Sequence, residues 1–200
     1  MTIEYKIITD TSNPLCGKTY EETLTEIKRN GLLLRYVEQQ TSELCEAAMG
    51  ENVFAIRFAK YKPYKSCLTA VEQYGALITY IEEQTPELCL TAVQVNGYAL
   101  RYVNEQTLEI CKAALDQTTQ ALTFVQPRFY KELGIVLLAE HVMYIDWKLI
   151  YYKDKYCSGD LNPLTSKEAL TYWESQKPRE KQLATLFCNA IIKHQKSLTN

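Results

Sequence analysis

Residues 31–118 read, in four consecutive rows of 22, GLLLRYVEQQTSELCEAAMGEN (31–52), VFAIRFAKYKPYKSCLTAVEQY (53–74), GALITYIEEQTPELCLTAVQVN (75–96) and GYALRYVNEQTLEICKAALDQT (97–118). The rows align without gaps. Cys45, Cys67, Cys89 and Cys111 share one position, and Ala48, Ala70, Ala92 and Ala114 share another. A fixed period of this length is the signature of a stacked-repeat architecture.

Each row predicts two short helices. In the fourth row Leu100, Tyr102 and Val103 mark the first, from about Tyr98 to Asn104. The second starts at a threonine. In Thr85-Pro86-Glu87 a capping hydroxyl precedes a proline with no N–H to waste and a glutamate suited to the positive helix end. Cys89, Ala92 and Val93 then fall at i, i+3 and i+4, one buried face. Asn96-Gly97 reads as the stop, with glycine in the left-handed C′ position. Neither helix is long enough to persist alone in water, so each unit must lean on its neighbours.

The flanks are less regular. Ile3, Tyr5 and Ile7 alternate with polar residues, which predicts a short extended arm over residues 1–18, closed by a loop at Thr11 to Gly17. From Thr19 the pattern turns helical, and Thr23 and Glu26 stand where the repeats carry cysteine and alanine. Polar residues there suit a terminal half-repeat facing water. The repeats extend to residue 126; Gln126-Pro127 breaks the register. Residues 127–200 read as an irregular helical cap. Within it, Phe129 to Tyr152 predicts one long apolar helix bent near Gly134, Thr165 or Ser166 caps a second helix, and Pro178 opens a third. The fold class expected is all-α: a right-handed-type solenoid of two-helix repeats between an extended arm and a helical cap.

Composition bounds the function. With 22 basic against 24 acidic residues and a formal charge of −2, the chain has no general affinity for nucleic acid or an anionic membrane. No apolar run reaches the roughly 18 residues of a spanning helix, and the start, MTIEYKIITD, lacks the features of a signal peptide. A cytoplasmic location and no membrane partner are expected. Equivalent cysteines on packed helices lie too far apart for disulfides, and no CxxC or CxxH pair exists. They read as reduced, buried thiols, with no metal or cofactor implied.

The units resemble a helical-repeat family of unknown function, whose tandem units read like NGYALRYVNEQTPEICLAAV and are familiar from large DNA viruses and some bacteria. The resemblance is carried by Asn30 to Val37, Gln84 to Cys89 and Asn96 to Val103, and it covers residues 19–126. It implies an all-helical solenoid and brings no catalytic motif. It also prompts a pointed expectation, an inhibitor that occupies a host or defence protein.

Departures from the pattern are where function is sought. In the second row Lys62 replaces glutamine, Pro63 the capping threonine and Lys65 the glutamate. Arg57, Lys60, Lys62 and Lys65 with Tyr61 and Tyr64 form the most concentrated basic-aromatic stretch. The next two rows hold six acidic residues against Arg101 and Lys112. The stretch reads either as a docking patch for an acidic partner or as a degenerate repeat with a solvated loop. Arg35, Arg57 and Arg101 share one position, a ladder that could track phosphates but reads more readily as a solvated edge. Their neighbours Tyr36, Phe58, Tyr80, Tyr102 and Phe124 read as core. In the C-terminal region the tryptophans read as core, while Tyr151, Tyr152 and Tyr156 are candidates for a partner surface.

No GxSxG, Walker loop, HExxH or GxGxxG occurs, and His141 and His194 lack a signalled partner. The expected function is therefore a non-enzymatic module that binds another protein. The alternatives are a nucleic-acid or nucleotide binder using the basic stretch, and an enzyme whose site is assembled from scattered residues. Self-association through an uncapped repeat face is open.

Overall fold

A computed structural model describes residues 13–140, 148–152, 155–158, 164–176 and 181–199. The predicted extended arm at Ile3 to Ile7 lies outside them. The described fold is mostly helical, and it divides into two compact units, Met1–Asn104 and Glu105–Asn200.

In the first unit ten-residue α-helices alternate with short 3-10 helices. The α-helices are α1 (Tyr20–Arg29), α2 (Ser42–Glu51), α3 (Tyr64–Gln73) and α4 (Pro86–Val95); the 3-10 helices are η1 (Gly31–Tyr36), η2 (Val53–Arg57), η3 (Gly75–Tyr80) and η4 (Gly97–Tyr102). Threonine caps act as their sequence position predicts. Thr41 and Thr85 each accept from the backbone N–H three residues on, and Thr19 forms a full capping box with Glu22. Thr23 departs from expectation. It is buried at 3% exposure, while Glu26 is half-buried and paired with Lys18 at 3.0 Å.

The first helix of each repeat is a short 3-10 helix, and all but η3 carry a side-chain cap. Asn30, Asn52 and Asn96 accept from the N–H two residues on, which tightens the first turn. With three residues per turn, Gly75, Ile78 and Ile81 share a face, and all three are buried. The aromatic position falls off that face. Tyr36, Phe58, Tyr102 and Phe124 are half-buried and Tyr80 is 38% exposed, so these rings are not core as the sequence suggested.

The glycine reading also changes. Asn96 is extended (φ −149°) and Gly97 opens η4; among the described glycines only Gly17 and Gly134 have positive φ. The glycines serve close approach instead. A Cβ on Gly31 would come within 2.2 Å of the Ala48 carbonyl oxygen, and one on Gly75 within 2.2 Å of that of Ala92. Glycine and alanine thus form one seam, and Ala48, Ala70 and Ala92 are fully buried.

The second unit opens with α5 (Leu108–Gln117), capped by Thr107, then η5 (Thr119–Phe124), η6 (Pro127–Phe129) and α6 (Tyr130–Leu133). The predicted long helix from Phe129 to Tyr152 does not form. Gly134 takes the left-handed conformation (φ 67°), and the Ile135 N–H donates to the Tyr130 carbonyl at 2.8 Å, closing α6 after one turn. The chain then enters an antiparallel sheet in the order β1 (Val136–Glu140), β2 (Lys148–Tyr152), β3 (Lys155–Ser158). Ile150 faces Leu137 on one side and Cys157 on the other, with a bulge between Leu137 and Ala139. The C-terminal region is therefore mixed, strands as well as helices.

The sheet packs with α7 (Ser166–Glu174) and α8 (Lys181–Leu198) around Leu149, Tyr156, Trp173, Phe187 and Ile191. Thr165 caps α7 in a capping box with Glu168, as predicted. Trp173 is 1% exposed and meets Phe187 edge-on at 4.8 Å. It is core; Trp147, His141 and Pro178 lie outside the described residues. No helix among the described residues is long and apolar enough to cross a membrane.

Candidate binding surface

The repeat carries a device that its packing pattern alone does not announce. Gln40 donates from Nε2 to the Phe58 carbonyl at 2.9 Å and accepts at Oε1 from the Lys60 N–H at 2.8 Å. Gln84 does the same with the Tyr102 carbonyl and the Asn104 N–H, both at 2.9 Å. In the second unit Gln106 reaches the Phe124 carbonyl at 2.8 Å and the Gln126 N–H at 2.9 Å. Each glutamine clamps the backbone 18 and 20 residues ahead, so one repeat is tied to the next. Its oxygen also receives the thiol five residues on, at 3.2 Å for Cys45, 3.7 Å for Cys89 and 3.5 Å for Cys111.

The thiols are free and buried, as the sequence implies. Burial pushes Cys67 and Cys89 up, and Cys111 up to about 11, with Arg128 opposing weakly. Such groups are inert packing and weak donors, not nucleophiles.

At the second repeat three of these fittings are missing together. Lys62 stands in the glutamine position, Pro63 caps α3 without a side-chain bond, and Tyr74 caps η3 without one. Other bonds span the junction. Lys62 Nζ meets the Glu82 carboxylate at 3.3 Å, and the Tyr64 hydroxyl donates a short bond to Glu87 on the next helix. That carboxylate, through the hydrogen bond first, raises the Tyr64 phenol above its ordinary range. Tyr20, at the matching position of α1, likewise donates to Glu43 at 2.7 Å.

The basic-aromatic stretch is only partly gathered. Lys60, Tyr61, Lys62 and Tyr64 line a groove of about 570 Å³, together with Glu46, Glu82 and Glu83. Arg57 and Lys65 do not line it. Lys60 Nζ donates to the Glu38 carbonyl at 2.8 Å. Three carboxylates against two ammonium groups give this groove no surplus of positive charge.

The arginine position is more coherent. Arg35, Arg57 and Arg101 are exposed on η1, η2 and η4, and successive 3-10 helices adjoin through η3. Arg35 lies over Tyr36 at 4.6 Å and donates to its hydroxyl at 2.8 Å. Arg57 lies over Phe54 and Phe58 at 5.9 and 5.7 Å, and Arg101 over Tyr102 at 5.2 Å. The row is a ribbon of guanidinium groups seated on half-exposed rings, with Tyr80 filling the interval.

The C-terminal tyrosines sort differently. Tyr156 is buried at 4% exposure, and half-buried Tyr151 packs on it and on His194 at 5.2 and 4.3 Å. His194 receives or donates a 3.3 Å contact with the Tyr156 hydroxyl. The side chain of Tyr152 lies outside the described residues. No cluster of three or more potential metal ligands occurs among the described residues.

Comparison with protein families, with characterised proteins and with solved structures found no match.

The arginine row was visible as a shared repeat position. The glutamine clamp shows in the sequence only as Gln40, Gln84 and Gln106 recurring on one position, just ahead of the threonine cap. A polar residue kept at a fixed place beside a buried cysteine was the available signal.

Proposed function

We propose that this chain is a non-enzymatic binding module, a solenoid of 3-10 and α-helical repeats that docks another protein along its 3-10 face. The repetition of the paired helices, with glutamine clamps and glycine–alanine seams between successive repeats, supports the solenoid reading. One observation carries the functional reading: Arg35, Arg57 and Arg101 sit exposed at one repeat position, each against an aromatic ring.

Arginine and tyrosine dominate binding hot spots. A guanidinium already stacked on a ring has given up part of its rotamer freedom, so less is lost when a partner arrives. Guanidinium groups repeated at a fixed interval suit carboxylates displayed along an extended partner segment. The same row could hold a single nucleic-acid strand, arginines on phosphates and rings under bases. The mixed charge of the groove at Lys60 to Tyr64 favours a protein.

The experiment is a binding comparison between the full chain and its R35E/R57E/R101E variant. Partner proteins captured from cells by the wild type are expected to be lost from the variant at physiological salt. Unchanged capture sinks the assignment of this face. An oligonucleotide titration runs alongside; tight binding that falls steeply with salt would move the assignment to nucleic acid.

A further inference from the structure

We propose that the groove between the second and third repeats binds a primary carboxamide: the side chain of an asparagine or glutamine on an extended segment of a partner protein. Elsewhere the repeat supplies that group itself. Gln40, Gln84 and Gln106 each present an oxygen to the N–H 20 residues ahead and an amide hydrogen to the carbonyl 18 residues ahead. Counted from Lys62, the matching groups are the Glu82 N–H and the Tyr80 carbonyl. No described group bonds either one.

Lysine cannot fill the role. Its ammonium has three donors and no acceptor, so it can never receive the Glu82 N–H. It turns to the Glu82 carboxylate instead, at 3.3 Å. The thiol follows suit: Cys67, whose counterparts donate to glutamine oxygens, donates to the Lys62 carbonyl at 3.6 Å. A donor and an acceptor, at the register positions where the other repeats hold an amide, are thus left without one.

Room for one from outside lies beside Glu82, which Ile81 links to Tyr80. The groove of about 570 Å³ is lined by Lys62, Cys67, Ile81 and Glu82, with exposed Tyr61 and Tyr64 beside them. Its charge selects among the groups that could enter. Glu46, Glu82 and Glu83 outnumber Lys60 and Lys62, which disfavours phosphate or carboxylate. A carboxylate, moreover, has no hydrogen for the Tyr80 carbonyl, whereas a carboxamide carries both functions in one plane. The proposal rests on this groove alone and does not depend on the arginine row.

The test is an NMR titration of the 15N-labelled full chain with propionamide, against propionate and N,N-dimethylpropionamide. Propionamide is expected to shift the Glu82 amide saturably in the millimolar range, while both controls leave it in place. Lys62→Gln should abolish the response, because the repeat's own amide then occupies the site; Lys62→Ala should keep it. No saturable shift in wild type and K62A, or an equal shift with propionate, overturns the proposal. So does a folded K62Q that responds like wild type. Should K62Q fail to fold, the ligand controls on wild type and K62A still decide.

Discussion

Gly75 lies so close to Ala92 that a Cβ added to it would stand 2.2 Å from the Ala92 carbonyl oxygen. The obstruction is backbone, so no side-chain rotation relieves it. Gly75→Ala should therefore act as overpacking, at roughly 1–3 kcal/mol. Gly134→Ala is the useful contrast. Nothing lies within 4 Å of its Cβ position, but φ is 67°, and the cost is conformational alone, about 1–2 kcal/mol. Urea midpoints measure both. An unchanged midpoint for G75A would show that the seam has slack for an extra methyl group.

The glutamine clamp predicts an asymmetry between positions that share a repeat register. Gln84→Ala removes the bonds to the Tyr102 carbonyl and from the Asn104 N–H. At about 0.5–1.5 kcal/mol net each, the loss should be roughly 1–3 kcal/mol. Lys62→Met keeps the largely buried lysine stem, 18% exposed, and removes only a pair whose glutamate is 89% exposed, worth at most about 1 kcal/mol. Equal losses in the two variants, at unchanged denaturant slope, would mean that the clamp contributes no measurable stability.

The repeat was legible because period, capping threonines and small buried residues all write into the sequence at fixed spacing. Thr85-Pro86-Glu87 alone names the start of α4. What stayed hidden depends on a period difference too small to read in six residues. Leu100, Tyr102 and Val103 fit an α-helical stripe, yet at three residues per turn Tyr102 rotates to the rim and joins Arg101 at the surface. The sheet was hidden for a related reason. From Ile135 to Ile150 apolar residues are dense enough to satisfy helical and alternating spacing alike, and only Gly134 marks where the helix must stop. The candidate groove was half legible: Lys62 stood out as a departure, but what its predecessor glutamine would have held did not.

Alkaline titration should report the tyrosine bridges. The Tyr64 phenol is raised by its bond to the Glu87 carboxylate, and Tyr20 by burial first, with its bonded carboxylate Glu43 adding to it. A phenol raised in the folded state gives stability that is whole below the unfolded value near 10 and is lost as pH climbs through the folded value. Wild type should therefore lose stability above about pH 10 more steeply than Y20F/Y64F. Parallel pH profiles for the two proteins would remove the bridges from the account of how successive α-helices are tied.

Native alkylation separates packing thiols from accessible ones. Cys45, Cys67, Cys89 and Cys111 are buried, each with its hydrogen directed to an oxygen of its own repeat, whereas Cys16 is exposed. For Cys111, pushed up to about 11, the thiolate that attacks iodoacetamide and displaces its iodide is a small fraction at pH 8, about one part in a thousand. Peptide mapping after brief treatment of the folded chain should find Cys16 modified and the four repeat cysteines untouched; in urea all five should react. Modification of Cys67 ahead of the other three would be informative in its own right, since its repeat lacks the glutamine clamp and lines the open groove. Uniform reaction of all four under native conditions would show that the repeats open far more often than their buried seams imply.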